Sequence, residues 1–436
     1  MKIWKFIVII LSFHLALSAL SEMEYVPNQL IFKTSEPKEI TMNKIGLNEF
    51  DNFLEEKQLK NLKPVLNKSQ NKYFVVSFNE DIDWENIKNL SFEGIDYFQP
   101  NYINTLFIVP NDPEYINQQV DLENCNIPQA WNYTTGNEEI IVGVIDSGLH
   151  FDHPDLQNNI YYNANEIPDD GIDNDNNGYI DDYRGWDFVD APELNSIAFG
   201  DYTERDNDPS DDLNHGTHVS GIIAADTNNN EGICGICWNI KLLVIRAGFK
   251  SLYGGYLQDD DAAAGIIYAA DMGADIINLS WGDVNFSQII ADACYYAYQR
   301  GTIIVASGGN ISFDNTDIMY PAKLSTTLAV GAVDKNKNLA GFSCYGPQLD
   351  IVAPGNQIIS TYDVIEEYLY QEQSGTSMSA PITAGSLALL LSFEPGLSFE
   401  EIRGRLISSV IDLGDHGFDD YYGYGLLDVS SLLLNQ

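Results

Sequence analysis

Beyond residue 120 the chain repeats one kind of segment. IIVGVID (140–146), KLLVIRA (241–247), ADIINLS (274–280), TIIVASG (302–308) and TLAVGAV (327–333) are short, nearly continuous apolar runs. They do not alternate with polar residues, so they read as strands buried on both faces. Between them lie stretches with helical spacing: THVSGIIAA (217–225), DAAAGIIYAADMG (261–273) and SQIIADACYYAYQR (287–300). Strand and helix in alternation predict an α/β fold with a mostly parallel central sheet and helices on both faces. Ligand sites in such sheets form beyond the carboxyl ends of the strands. Asp146 and Ser280 end two of the runs, and Asn310 follows a third by two residues.

Those strand ends carry reactive residue types. An acid closing a buried strand, as Asp146 does in VIDSG, is costly unless it has a partner, and a histidine N–H suits it. His215 stands in NHGTHVSG, where a helix begins, and this segment holds two of the six histidines. Asn310 ends VASGGN, whose glycines allow close backbone approach. Ser377 lies in SGTSMSAP (374–381). It reads either as the N-cap of the helix that follows or as a nucleophile, with Pro381 assigned to the first turn. A nucleophilic serine needs a base, an acid to orient the base, and donors for an oxyanion. Asp146, His215 and Ser377 occur in an order known for serine triads, with Asn310 between histidine and serine.

The rest of the chain limits the partners. A net charge of -42 argues against nucleic acid, which calls for basic patches. MKIWKFIVIILSFHLALSALS begins with two lysines and an apolar stretch too short to span a bilayer, so residues 1–21 read as a secretory signal peptide. The mature protein is expected to be exported, free of the membrane and monomeric. Residues 22–109 hold the β-like runs KYFVVSF (72–78) and INTLFIV (103–109) and the helical-looking NEFDNFLEEKQLKNL (48–62), which suggests a small α+β domain ahead of residues 110–436. Cys234 and Cys237 form a single CxxC without a second pair; they read better as buried small residues than as a metal or redox site. The segment from 166 to 212 is an insertion with 16 acids and two arginines.

Taken together, VIDSGLHFDHPDL around Asp146, DNDPSDDLNHGTHVSGIIAA around His215, LSWG (279–282), VASGGN (305–310), YPA (320–322), DIVAPG (350–355) and SGTSMSAP resemble the subtilisin-like serine proteases, the subtilases. The resemblance spans roughly residues 115 to 430. It implies the subtilisin-like three-layer fold and a secreted serine endopeptidase acting on proteins and peptides through an acyl-enzyme. Ser377 would be the nucleophile, His215 the general base, Asp146 its orienting acid, and Asn310 with the Ser377 N–H the oxyanion donors. His218 would be structural. LSWG would pair with substrate backbone. Ser280, Trp281, Gly282, Ala306, Ser307 and Gly308 would wall the first specificity pocket. Met319 would floor it, giving an apolar P1 preference. Residues 22–109 resemble the family's propeptides, which act as intramolecular inhibitor and folding aid and are removed by self-cleavage.

Two calcium sites are expected, and no organic cofactor. In DGIDNDNNGYIDD (170–182), oxygens at alternate positions of a glycine-bearing loop suit a hard cation, with Asp173, Asp175, Asn177, the Tyr179 carbonyl and Asp181 as ligands; the alternative is a solvated acidic loop. The resemblance implies a second site from Asp155, the Asn229 side chain and the carbonyls of Thr227, Glu231 and Ile233, completed by Gln118 or Gln119. Two other readings compete: a catalytically silent subtilase-fold binding protein, and an esterase. The latter is disfavoured because no G-x-S-x-G elbow surrounds Ser377.

Overall fold

The computed structural model describes residues 25–41, 43–66, 71–79, 82–102, 108–311, 316–364 and 368–435. The signal-peptide reading and most of the strand expected at 103–109 fall outside them. The chain divides into two compact units, Met1–Leu106 and Phe107–Gln436.

In the first unit β1 (Tyr25–Thr34), α1 (Asn48–Glu56), β2 (Leu59–Pro64), β3 (Tyr73–Phe78), α2 (Trp84–Ile87) and β4 (Ile95–Tyr102) follow one another. The strands form an antiparallel sheet in the order β2-β3-β1-β4. Phe32, Phe50 and Phe74 lie at its centre, and Phe50 also packs on Phe53 and Phe92. Buried Asp51 accepts the N–H groups of Ile45, Gly46 and Leu47, which fixes the turn that starts α1. The helix expected over 48–62 stops early. Gln58 takes a left-handed conformation (φ 56°), and the next residues pair with β3 instead.

In the second unit the elements that build the sheet and the cleft follow in the order β5 (Gly136–Asp146), β6 (Trp186–Asp187), β7 (Ala198–Phe199), α3 (His215–Ala224), β8 (Asn239–Arg246), β9 (Gly248–Ser251), β10 (Gly254–Leu257), α4 (Asp259–Asp271), β11 (Ile276–Leu279), α5 (Gln288–Gln299), β12 (Ile303–Ser307), β13 (Thr327–Val333), β14 (Ile351–Pro354), β15 (Ile358–Thr361), β16 (Tyr370–Gln373) and α6 (Thr376–Phe393), with further helices at Tyr115–Asn124, Ile127–Ala130, Phe399–Ser409 and Val429–Leu434. Seven strands make the parallel central sheet, in the order β14-β13-β12-β11-β5-β8-β6. All five expected strands are in it. The three expected helices are α3, α4 and α5. From β5 the chain places β6 and β8 on one side and β11 to β14 on the other, so the strand end carrying Asp146 lies where the topology opens a crevice.

The helix α6 is apolar all round because it runs through the core, packed on β5 and β11–β14. It begins at Thr376 with Gly375 as N-cap and no side-chain capping bond. Two expectations are corrected here. Ser377 is not a cap, and Pro381 lies in the second turn, not the first. All five cysteines are buried and none forms a disulfide; burial raises the thiol pKa of each.

Candidate active site

The first helical residue of α3 is His215 and the last residue of β5 is Asp146. His215 Nδ1 and Asp146 Oδ1 are 2.8 Å apart. Asp146 is buried at the strand end and His215 half-buried at the cleft. Burial disfavours the imidazolium, but the charge and hydrogen bond of Asp146, with Asp211 behind it, outweigh this and raise the His215 pKa above the ordinary imidazole value. With Nδ1–H committed to Asp146, Nε2 is the basic nitrogen.

Asp211, which the sequence reading passed over, holds this corner together. Its buried carboxylate accepts the Ser147 hydroxyl (2.8 Å), the N–H groups of Leu213, Asn214 and Thr217, and the Thr217 hydroxyl (2.7 Å). Ser147 Oγ in turn accepts the Gly216 N–H. One acid thus joins the residue after Asp146 to the first turn of α3, where a negative group also suits the helix dipole. Its only signal in sequence is an acid four residues before His215, one of sixteen in the same segment.

His218, one turn on, is fully buried. Its Nε2–H reaches the carbonyls of Ile358 (3.1 Å) and Gln371 (2.9 Å), and burial holds its pKa down at about 3. It is a neutral tie between α3 and the β15–β16 hairpin, as expected.

Ser377 enters the cleft from the start of α6. Its hydroxyl donates to the Ser280 carbonyl (2.9 Å), not to His215. The Asn310 amide is held by Thr376, whose N–H (3.1 Å) and hydroxyl (3.3 Å) donate to Oδ1. This leaves Nδ2 turned toward the Gly375–Ser377 segment, and a Cβ on Gly375 would come within 3.3 Å of it.

These residues line a cleft of about 750 Å³. Ser280, Trp281, Gly282, Ser307 and Met319 line it too. Ala306 and Gly308 do not: Ala306 is buried within β12, and the Gly308 N–H and carbonyl bond to Val330 and Met319. Gly309 lines it in their place. A Cβ there would sit 2.6 Å from Met319 Cγ, so only glycine lets the methionine lie across the pocket. Gly255, Tyr256 and Leu257 of β10, an edge strand of the small β10-β9-β7 sheet that carries no mark in the sequence, line the cleft as well.

The acidic insertion is anchored beside β5. Arg246, completely buried at the end of β8, binds the Asp187 carboxylate and the Asp201 carbonyl and lies 3.4 Å from Asp212. Burial pushes Asp187 up to about 7 against the pull of that guanidinium.

Several groups of oxygens could hold a hard cation, among them one at each of the two loops singled out in the sequence. Carboxylate oxygens of Glu166, Asp173 and Asp175 lie within 4.8 Å of one another. Asp181 does not join them; it turns back to accept the N–H groups of Asp170 and Gly171. Glu166 takes that place, from outside the repeating loop. Asn177 sits beside the group but spends its amide on Asp175, Asp182 and the Tyr179 N–H. In the second group, Asp155 accepts from Asn229 Nδ2 (2.8 Å) and the Ile233 N–H (2.9 Å), and burial pushes it up to about 7. Among the described residues, the carbonyls of Thr227, Glu231 and Ile233 accept no hydrogen bond. Neither glutamine joins this group: Gln118 pairs with Cys234, and Gln119 with Glu123. Asp112 does approach it, accepting the N–H groups of Asn228 and Asn229.

The sequence profile of the Subtilase family matches residues 137–425. The chain is 36% identical to a thermophilic serine proteinase from Bacillus sp. (strain AK1), over 77% of this chain and 71% of that one. It is 37% identical to the halolysin-like extracellular serine protease Nep of Natrialba magadii, over 79% of this chain and 57% of that one. Among solved structures, a protease from Pseudoalteromonas arctica superposes with a TM-score of 0.61 at 28% identity, over 75% of this chain and 99% of that one.

Proposed function

The chain belongs to the subtilase family and is a serine endopeptidase; on that premise we propose that Asp146, His215 and Ser377 are its triad and Asn310 its oxyanion donor. The observation that carries the assignment is the 2.8 Å Asp146–His215 pair lining the same cleft as Ser377. Substrate backbone lies along Ser280–Gly282, in the cleft that the β10 edge also lines, an arrangement that binds main chain with little side-chain selection. Ser377 Oγ leaves the Ser280 carbonyl and attacks the scissile carbon while His215 Nε2 takes its proton. Asp146 stabilises the resulting imidazolium. The Ser377 N–H and Asn310 Nδ2 receive the oxyanion. His215 then protonates the leaving amine, and water, activated by the same nitrogen, releases the acyl group. Met319 behind Gly309 favours an apolar P1 side chain.

Residues 22–109 act as a self-cleaved propeptide, and residues 1–21 direct export; the extracellular relative supports the latter. Calcium is held at two places. Asp155, Asp112 and the free carbonyls of Thr227, Glu231 and Ile233 form one, and Glu166, Asp173 and Asp175 the other. Both offer the oxygen-only donors that this cation takes, and the bound ion supplies charge neutralisation to a strongly acidic unit.

The test is to express the chain intact and as Ser377→Ala and follow both on a gel and on casein with calcium present. We expect only the intact form to lose its N-terminal unit and digest casein. Digestion by Ser377→Ala would overturn the assignment.

A further inference from the structure

The carbonyl of the nucleophile has lost its helical partner. In an α-helix the carbonyl of residue i accepts the N–H of residue i+4. For Ser377 in α6 that residue is Pro381, which has no N–H. A donor from outside the helix fills the position: Ser280 Oγ donates to the Ser377 carbonyl at 2.8 Å. A hydroxyl has one proton to give. Asn278 in β11, fully buried, donates through Nδ2 to that same Oγ at 2.9 Å. This occupies an acceptor site on Ser280 and leaves its proton for Ser377.

The bonds between the two serines are reciprocal, since Ser377 Oγ also donates to the Ser280 carbonyl. They differ in what happens during turnover. The Ser377 side chain must leave Ser280 to react, whereas the bond from Ser280 Oγ holds the Ser377 backbone and can persist. We propose that Asn278 and the Ser280 hydroxyl form a positioning pair. It replaces the helical bond removed by Pro381 and fixes the nucleophile's turn against the strand that carries the substrate. The pair acts through Ser377 and does not touch the reacting atoms; Asn278 does not line the cleft. The inference rests on Ser377 being the nucleophile.

A double-mutant cycle between Ser280→Ala and Pro381→Ala tests it, with kcat and KM measured on a chromogenic peptide amide and Tm alongside. Ser280→Ala alone should lower kcat about tenfold with KM within about twofold, the rate equivalent of one hydrogen bond to a buried carbonyl. In Pro381→Ala, residue 381 regains an N–H and the Ser377 carbonyl a helical partner, so the same change should cost less than about threefold. Asn278→Asp, of the same size, draws the Ser280 proton toward its own carboxylate and should lower kcat as Ser280→Ala does. Equal losses in both Pro381 backgrounds would overturn the proposal, as would changes confined to Tm and KM. If Asn278→Asp fails to fold, the cycle still decides. Ser377→Ala separates the two readings. Turnover by it would remove the nucleophile assignment and the pair with it, whereas an inactive Ser377→Ala with an additive cycle removes the pair alone.

Discussion

At the scale of single residues, the candidate site is a problem in placing charge. As the proposed base, His215 is useful only while neutral, because in that role it accepts the serine proton. Its raised pKa means that neutrality is lost on acidification sooner than for a free imidazole. The acid limb of kcat/KM should therefore have a midpoint above about 6.5, with activity falling as pH drops through it. Asp211 contributes to that rise. In Asp211→Asn the limb should move to lower pH, while the plateau falls as the start of α3 loosens; a pH profile of the two proteins reads both effects. In the proposed mechanism Asn310 faces the other charge of the reaction. A donor of this kind is worth about 100- to 1000-fold in kcat, a figure taken from a subtilisin, and Asn310→Ala should lose as much with little change in KM. The Asn310 amide is not oriented by Asn310 itself but by Thr376, directly before Ser377.

Between residues and the whole stand the elements, and here the key contact is helix on hairpin. The helix α3 brings His215 to Asp146 and lies against β15. Ser360 Oγ donates to the His218 carbonyl and Thr361 Oγ1 to the Thr217 carbonyl, both at 2.7 Å. Gly221 permits this approach: a Cβ there would sit 2.1 Å from Thr361 Oγ1 and 2.6 Å from Ser360 Oγ. Gly221→Ala should push α3 outward and destabilise the protein by about 1–3 kcal/mol, seen as a Tm several degrees lower, with kcat reduced because His215 moves with the helix. Such helix-to-hairpin contacts join residues more than a hundred positions apart, and no period in the sequence announces them. The central strands were legible because burial on both faces leaves nothing polar in the run. The edge elements β6, β7 and β10 are only two to four residues long and carry no such mark. Glu166 was missed for a similar reason: it reaches Asp173 and Asp175 through a fold of the loop, while Asp181, in register with the repeat, turns away. Pro381 sits one turn deeper than the sequence suggests, because the helix starts at Thr376 with a glycine cap that gives no side-chain signal.

The molecule as a whole carries its charge unevenly. Met1–Leu106 has 11 lysines and 14 acids, whereas Phe107–Gln436 has 11 lysines and arginines and 50 acids, a net charge of -3 against -39. Self-repulsion on that scale works against the compact state, and bound cations relieve it. Chelation by EDTA should lower the Tm of the mature unit, by the equivalent of about 2.7 kcal/mol if calcium stood at a hundred times its Kd. Moderate sodium chloride should restore part of that loss by screening. An unchanged Tm in excess EDTA would remove both calcium loops from the account. That none of the five buried cysteines forms a disulfide bears on a different matter, the conditions in which the enzyme can work. A protein that owes nothing to cross-links needs no oxidant to mature and has nothing for a reductant to break. Activity on casein should therefore be the same with and without a thiol reductant, whereas a disulfide-dependent fold would lose it.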